Sequence, residues 1–410
     1  MWRRTVKIAL MVAALTFILA GCGSTGGGGG GLTPTPTATS RPACSTWQVI
    51  SSSSPTQYAQ SRLMGISAPS PTNAWAVGVS VVGEGNTLAA SMTQRWDGSA
   101  WSAIANPGTG ILNSIAAVSA QDVWAVGVKY SDVSSLQWLM VEHWNGTQWS
   151  TVTAPIPGQT NSAFNGVAAQ SANSVWAAGY YDGLGFSPQP LIERWDGSAW
   201  RVASTSLPDG ATAASYDALS VVPGSNQVWA TGSVRYGVPP DGGRGYFQPL
   251  IERWDGNAWR VVASPTLPAG ALAGEVRSVV ALSTTDAWAV GEYTASDHTI
   301  RTLIAHWNGT SWAVTPSPDE WGSLTGVAAT GARDVRAVGY HMLGADGSAQ
   351  IGIVERWNGD TWSVVESPTP QGVTHSSLDA ITADGAGGYW AVGYYPDNDG
   401  IPHALIARCA

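Results

Sequence analysis

"LIERWDGSAW", residues 191–200, returns almost letter for letter as "LIERWDGNAW" at 250–259, and breaks off at the C-terminus as "LIARCA", 405–410. Each full copy is a short alternating run, an Asp-Gly pair and a second run opened by Trp. Asp-Gly between two such runs is a strong hairpin signal, because these residues tolerate the positive φ of a type I′ turn. Laying the chain against itself extends the match to a repeat of about fifty residues. One recurring word is "WAVG" or a close relative, at Trp75, Trp124, Trp176, Trp229, Trp288, Arg336 and Trp390. The hairpin word recurs at Trp96/Trp101, Trp144/Trp149, Trp195/Trp200, Trp254/Trp259, Trp307/Trp312 and Trp357/Trp362. A third precedes "WAVG": "LNSIAAVS" at 112, "FNGVAAQS" at 164, "YDALSVVP" at 216, "LTGVAATG" at 324 and "LDAITADG" at 378. Every unit therefore holds four short β-rich runs separated by Gly, Pro, Asn and Asp. Four-stranded antiparallel sheets in series predict an all-β, seven-bladed β-propeller. Of the 22 Trp, all but Trp2, Trp138 and Trp321 occupy repeat positions, where each can bury about 150–250 Å² between blades.

The truncated ending follows from the same count. Six units complete the hairpin, and the seventh stops after its third run at Arg408. Its missing strand stands at the other end of the body, in "CSTWQVISSSSP" (44–55), with Trp47 in the role of Trp101 or Trp200. The N-terminal strand is thus expected to complete the last blade. Cys44 and Cys409 flank the turn the chain never makes, which puts them in range of a disulfide.

The first 21 residues read as an export signal, with Arg3, Arg4 and Lys7 before an apolar run from Ile8 to Ala20 that is too short to span a bilayer. Its end, "LAGC" (19–22), resembles the bacterial lipobox, and that resemblance implies cleavage before Cys22 and a lipid on its sulfur. Residues 22–43, Gly-rich and then Pro/Thr-rich, form a tether of roughly 30–50 Å. The expected order is a signal at 1–21, a tether at 22–43 and a propeller at 44–410, held outside the cytoplasm by lipid on Cys22. Cys22 being lipidated, one cysteine pair is left for an oxidising compartment. With only 11% charged residues, a net charge of −9 and Lys129 as the one lysine of the body, the chain lacks the basic footprint nucleic acid requires.

The grammar "VWAVG … ERWDG..W" resembles tectonin-type and kelch-like propellers over residues 44–410. It departs from tectonin in having longer units, seven rather than six of them, and Gly78, Gly127 and Gly291 where Asn is frequent. That resemblance implies a binding propeller.

Repeated polar residues read as structural. Arg95, His143, Arg194, Arg253, His306, Arg356 and Arg408 precede the hairpin Trp; each is expected to pack on a Trp and pair with a neighbouring Glu (Glu142, Glu193, Glu252, Glu355). Arg336, in place of Trp, reads as lining a polar pocket or as tolerated drift, with drift the favoured reading. Function is sought in what does not repeat, the long loops joining second to third runs and blade to blade. They emerge on one face and gather Trp138, Tyr180, Tyr181, Tyr236, Tyr246, Tyr293, Trp321, Tyr340, Tyr394 and Tyr395. Aromatic planes among polar groups suit sugar rings, though the same tyrosines can simply cap blade ends.

His298, His341, His375 and His403 share that face, and "DNDG" (397–400) has the local look of a calcium loop. Neither has a spacing that demands a transition metal or calcium, so no cofactor and no catalytic residue is assigned. The expected function is a monomeric, membrane-anchored binding module for a glycan or another extracellular partner. A polysaccharide hydrolase or lyase is the alternative, supported if loop carboxylates such as Asp182 or Asp241 meet Glu292. A protein–protein scaffold is the third reading.

Overall fold

A computed structural model describes residues 44–51, 58–82, 88–130, 136–158, 161–183, 187–205, 207–237, 247–344 and 349–410. The signal, Cys22, the tether, Tyr246 and Asp241 lie outside the described residues. The body is a seven-bladed β-propeller: seven antiparallel sheets of four strands each, with the first strand of each unit innermost. The third blade is representative, with strands Ser162–Ser171, Ser174–Asp182, Pro188–Trp195 and Trp200–Ala203.

The seventh blade closes as the repeat count requires. Trp47–Val49 pairs antiparallel with Pro402–Cys409, Trp47 opposite Cys409. A Cys44–Cys409 disulfide, Cα atoms 5.5 Å apart, locks that strand in place. It joins residues 365 apart in sequence, which the loop-entropy account values at up to about 5 kcal/mol.

Blade packing explains the tryptophans. Trp75 lies 5.0 Å from Trp144 and 5.4 Å from Trp149, ring centre to ring centre, so each second-strand Trp meets both hairpin Trp of the following blade. The same three-ring cluster recurs around Trp124, Trp176, Trp229, Trp288 and, across the closure, Trp390 against Trp96 and Trp101. Such pairs add roughly 0.5–1.5 kcal/mol each beyond the area they bury. At the sixth-to-seventh interface Arg336 replaces one ring and Cys409 another, and the two touch: Arg336 Nη1 is 3.8 Å from Cys409 Sγ. Arg336 is buried, donates to the Cys44 carbonyl and lies 4.9 Å from the Tyr389 ring. Its departure from the repeat is therefore matched to the disulfide and is not drift.

Two further expectations are corrected. Arg95, Arg194, Arg253 and Arg408 do lie over the Trp of their own sheet, at 5.0–5.3 Å. They do not pair with the adjacent glutamates, because neighbouring strand residues point to opposite faces. In three blades the side chain at this position turns instead to an aspartate that opens the second strand: His143 to Asp122 at 2.8 Å, His306 to Asp286 at 2.9 Å, Arg356 to Asp334 at 2.8 Å. The hairpins are not type I′ either, since His298 is the only non-glycine with positive φ among the described residues. Gly98 takes φ 101° while Asp97 accepts hydrogen bonds from the Ser99 and Ala100 amides, an Asx-type cap of a four-residue turn.

Candidate functional site: the channel and the loop face

Every innermost strand carries a β-bulge at the same place, and the extra residue is Met64, Asn113, Asn165, Asp217, Arg277, Thr325 or Asp379. A bulge bends the strand where seven of them converge. It also presses the preceding backbone onto the second strand: a Cβ at the "WAVG" glycines would run into a first-strand carbonyl, that of Glu275 for Gly291. Only glycine fits there.

The seven extra residues line the central channel, around a cavity of about 210 Å³. Three of them stitch blades together: Asn113 donates to the Phe164 carbonyl (2.9 Å), Asn165 to Tyr216 (2.9 Å) and Thr325 to Leu378 (2.6 Å). Charge sits on the remaining arc. In the first and seventh blades Arg62 makes a two-pronged pair with Asp379, at 2.6 and 2.9 Å. Burial pulls the Arg62 pKa down, but the bond and charge of Asp379 outweigh it and raise it. In the fifth blade Arg277 pairs with Glu275 and, at 3.4 Å, with Glu292. Asp217 faces this group, and burial, then the Glu275 charge, push its pKa to about 7 against the pull of Arg277.

Among the described residues the carboxylates near Glu292 are Glu275 and Asp217, not Asp182; Asp241 lies outside them. Asp182 is buried and accepts from Asn161 at 2.9 Å. No sequence reading singled out the channel ring, although its residues stand second in the "LNSIAAVS" word.

The loop-face aromatics separate into distinct groups. Tyr180, Tyr340 and Tyr394 share one repeat position, directly after the "WAVG" glycine. The Tyr180 hydroxyl donates to Gln137 of the preceding blade (3.2 Å), beside Trp138; Tyr394 accepts from Gln350 of its preceding blade (3.0 Å). The Tyr340 pKa is raised by burial and then by Glu292, which places it with the channel-mouth charges. Tyr181, Tyr293 and Tyr395 pack against apolar clusters between blades, as the capping alternative requires. Trp321 is half-buried at the start of the sixth blade, its amide on Asp319. Tyr236 is exposed and lines a cavity of about 270 Å³ with Gln248 and Val261. A second cavity of about 270 Å³ opens between the first and seventh blades, lined by Gln60, Ser61, Arg62, Val79, Tyr394 and Pro402. There the Arg62 guanidinium lies 4.7 Å over the Tyr394 ring.

The histidines are dispersed. His341 bonds Asp319, His403 bonds Asp397 and His375 bonds Thr374. Among the described residues no three metal-ligating side chains converge. "DNDG" folds as a capped turn in which Asp397 accepts the Asp399 and Ile401 amides, both at 2.9 Å.

No family model matches the sequence, and no curated protein resembles it closely enough to count as a relative. Solved structures do share its fold. U3-55K aligns over 89% of this chain and 98% of its own, with a TM-score of 0.53 at 11% identity. An ulvan lyase of family PL25, bound to a saccharide containing GlcA and Rha, aligns over 86% and 94%, with a TM-score of 0.54 at 8% identity. A GH74 xyloglucanase from Xanthomonas campestris aligns over 85% of this chain but 53% of its own, with a TM-score of 0.50 at 13% identity. At these identities the likeness establishes the β-propeller fold and nothing finer.

Proposed function

We propose that this chain is a lipid-anchored, surface-displayed propeller that binds a glycan through its loop face. One observation carries the reading: the cavity at the channel mouth, lined by the Arg62 guanidinium, which is backed by the Tyr394 ring and held by Asp379. A rigid guanidinium plane set on an aromatic ring suits a sugar, which needs both an apolar surface and fixed hydrogen-bond donors. Two structural neighbours bear the names of polysaccharide-acting enzymes, which adds modest support. The disulfide supports an oxidising compartment outside the cytoplasm, and "LAGC" supports lipid on Cys22 as the anchor. The test is a glycan and cell-wall polysaccharide array probed with residues 44–410. Binding that falls with Arg62→Ala and Tyr394→Ala supports the site. A blank array from folded protein sinks it and moves the scaffold reading forward.

The enzyme reading keeps one specific observation in its favour: Asp217, half-protonated near neutral pH, beside Glu275, Glu292 and Arg277 in the channel. A proton donor and carboxylates around one guanidinium are groups a hydrolase or lyase would use. Reducing-end and unsaturated-product assays on the same polysaccharides, with Asp217→Asn as control, decide it.

A further inference from the structure

The face opposite the long loops holds a groove of about 630 Å³ between the third and fourth blades, within the range of small-ligand sites. It exists because the fourth blade joins its first two strands through six residues, 222–227, where the third uses only Ala172 and Asn173. Its lining includes Gln170, Ser171, Arg194, Ser225, Asn226 and Trp254.

The repeat supplies an internal control for Arg194. The equivalent His143, His306 and Arg356 of the second, fifth and sixth blades are each tied to an aspartate, Arg408 of the seventh lies 3.6 Å from Asp384, and Arg95 and Arg253 of the first and fourth, like Arg194, have no acidic partner among the described residues. In the third blade the aspartate position is Ser174, and besides the Trp176 ring Arg194 has, among the described residues, the Ser174 hydroxyl as its one hydrogen-bond partner, at 3.2 Å. That hydroxyl itself donates to Gln170. Arg194 is exposed, whereas its six counterparts are half-buried. Trp254 is half-buried here, as are Trp195 and Trp357 at the same repeat position, while Trp96, Trp144 and Trp307 are buried.

We propose that this groove is a second binding site, for a saccharide bearing a uronate carboxylate. The unpaired guanidinium, with donors to spare after one bond, takes the carboxylate as a charge-assisted pair. The exposed edge of Trp254 offers an apolar surface to the ring, and Gln170, Ser171 and Asn226 offer hydrogen bonds to its hydroxyls.

The test titrates the intact chain in detergent with tetragalacturonate, with cellotetraose as the neutral probe and a sulfated carrageenan tetrasaccharide as the alternative anion. Tetragalacturonate is expected to bind at least about tenfold more tightly than cellotetraose, and Arg194→Ala to lose that margin. Ser174→Asp installs the acid that opens the second strand of the second, fifth and sixth blades. It should pair with Arg194 and abolish uronate binding while Tm holds or rises, so loss of the site is separable from loss of the fold. In an Arg62→Ala, Tyr394→Ala background, which removes the loop-face site, the Arg194-dependent uronate binding should persist, keeping it distinct from the loop-face reading. The proposal is overturned by an absence of uronate binding, by undiminished binding in Ser174→Asp, or by equal or tighter binding of the neutral or sulfated probe.

Discussion

Arg336 and Cys409, the two places where the repeat departs from Trp, face each other across one interface, with Nη1 3.8 Å from Sγ. The closing disulfide occupies the space of a hairpin indole, and an indole at 336 would meet the Cys44 and Cys409 atoms that Arg336 now touches. Reverting Arg336→Trp to the repeat consensus should therefore destabilise, by the roughly 1–3 kcal/mol typical of overpacking. In a background with Cys44→Ser and Cys409→Trp the same change should cost far less, since the three-ring cluster is rebuilt. Thermal melts of the four combinations measure the coupling; additive effects would refute it.

Glu142, Glu193, Glu252 and Glu355 are buried on the faces turned away from the arginines. Burial raises all four pKa values, to about 8 for Glu193 and Glu355 and about 7 for Glu252. The folded state then holds more protons than the unfolded one between the ordinary value of 4.5 and about 8. Stability is accordingly full below that window and falls as pH rises through it. Neither Glu193 oxygen has a hydrogen-bond partner among the described residues, so Glu193→Gln should raise Tm by several degrees at pH 8 and little at pH 5. A wild-type Tm that climbs from pH 5 to 8 would contradict the assignment.

The repeat grammar made the blades, their number, the strand exchange and the disulfide legible, because each follows from counting words along the chain. What it hid depends on contacts between words. A bulge adds a residue without changing any word, so Asn113, Asp217 and Arg277 looked like ordinary strand positions rather than a ring around the channel. The Arg–Asp pairs span about twenty residues across two strands, and their identity needs the register as well as the period. The Arg62–Asp379 pair joins residues 317 apart and appears only once the ring is closed. Tyr180, Tyr340 and Tyr394 stand out in sequence as aromatics off the repeat; their shared position after the glycine is what sets two of them, Tyr180 and Tyr394, against a glutamine of the preceding blade.

Gly291→Ala tests how tightly the bulge fixes the second strand. The added methyl would collide with the Glu275 carbonyl, a backbone atom that cannot move without opening the ladder. A loss of more than about 3 kcal/mol is expected, well beyond the ~1 kcal/mol of an ordinary substitution. Gly210→Ala, a glycine with positive φ and nothing within 4 Å of its would-be Cβ, isolates the conformational cost and should be milder. Equal urea midpoints for the two variants would show that the crowding is relieved elsewhere.

Asp217 offers a direct reading of the channel's electrostatics. Its pKa of about 7 reflects burial first, then Glu275, with Arg277 opposing and Glu292 adding to the rise. Removing the cation with Arg277→Ala should therefore move the carboxyl further up, and Glu275→Gln should bring it down. Carbon-13 NMR of labelled aspartate side chains, titrated from pH 4 to 9, resolves the two directions. If both variants shift the same way, the charges around Asp217 do not act as the geometry requires, and the enzyme reading loses the proton donor on which it depends.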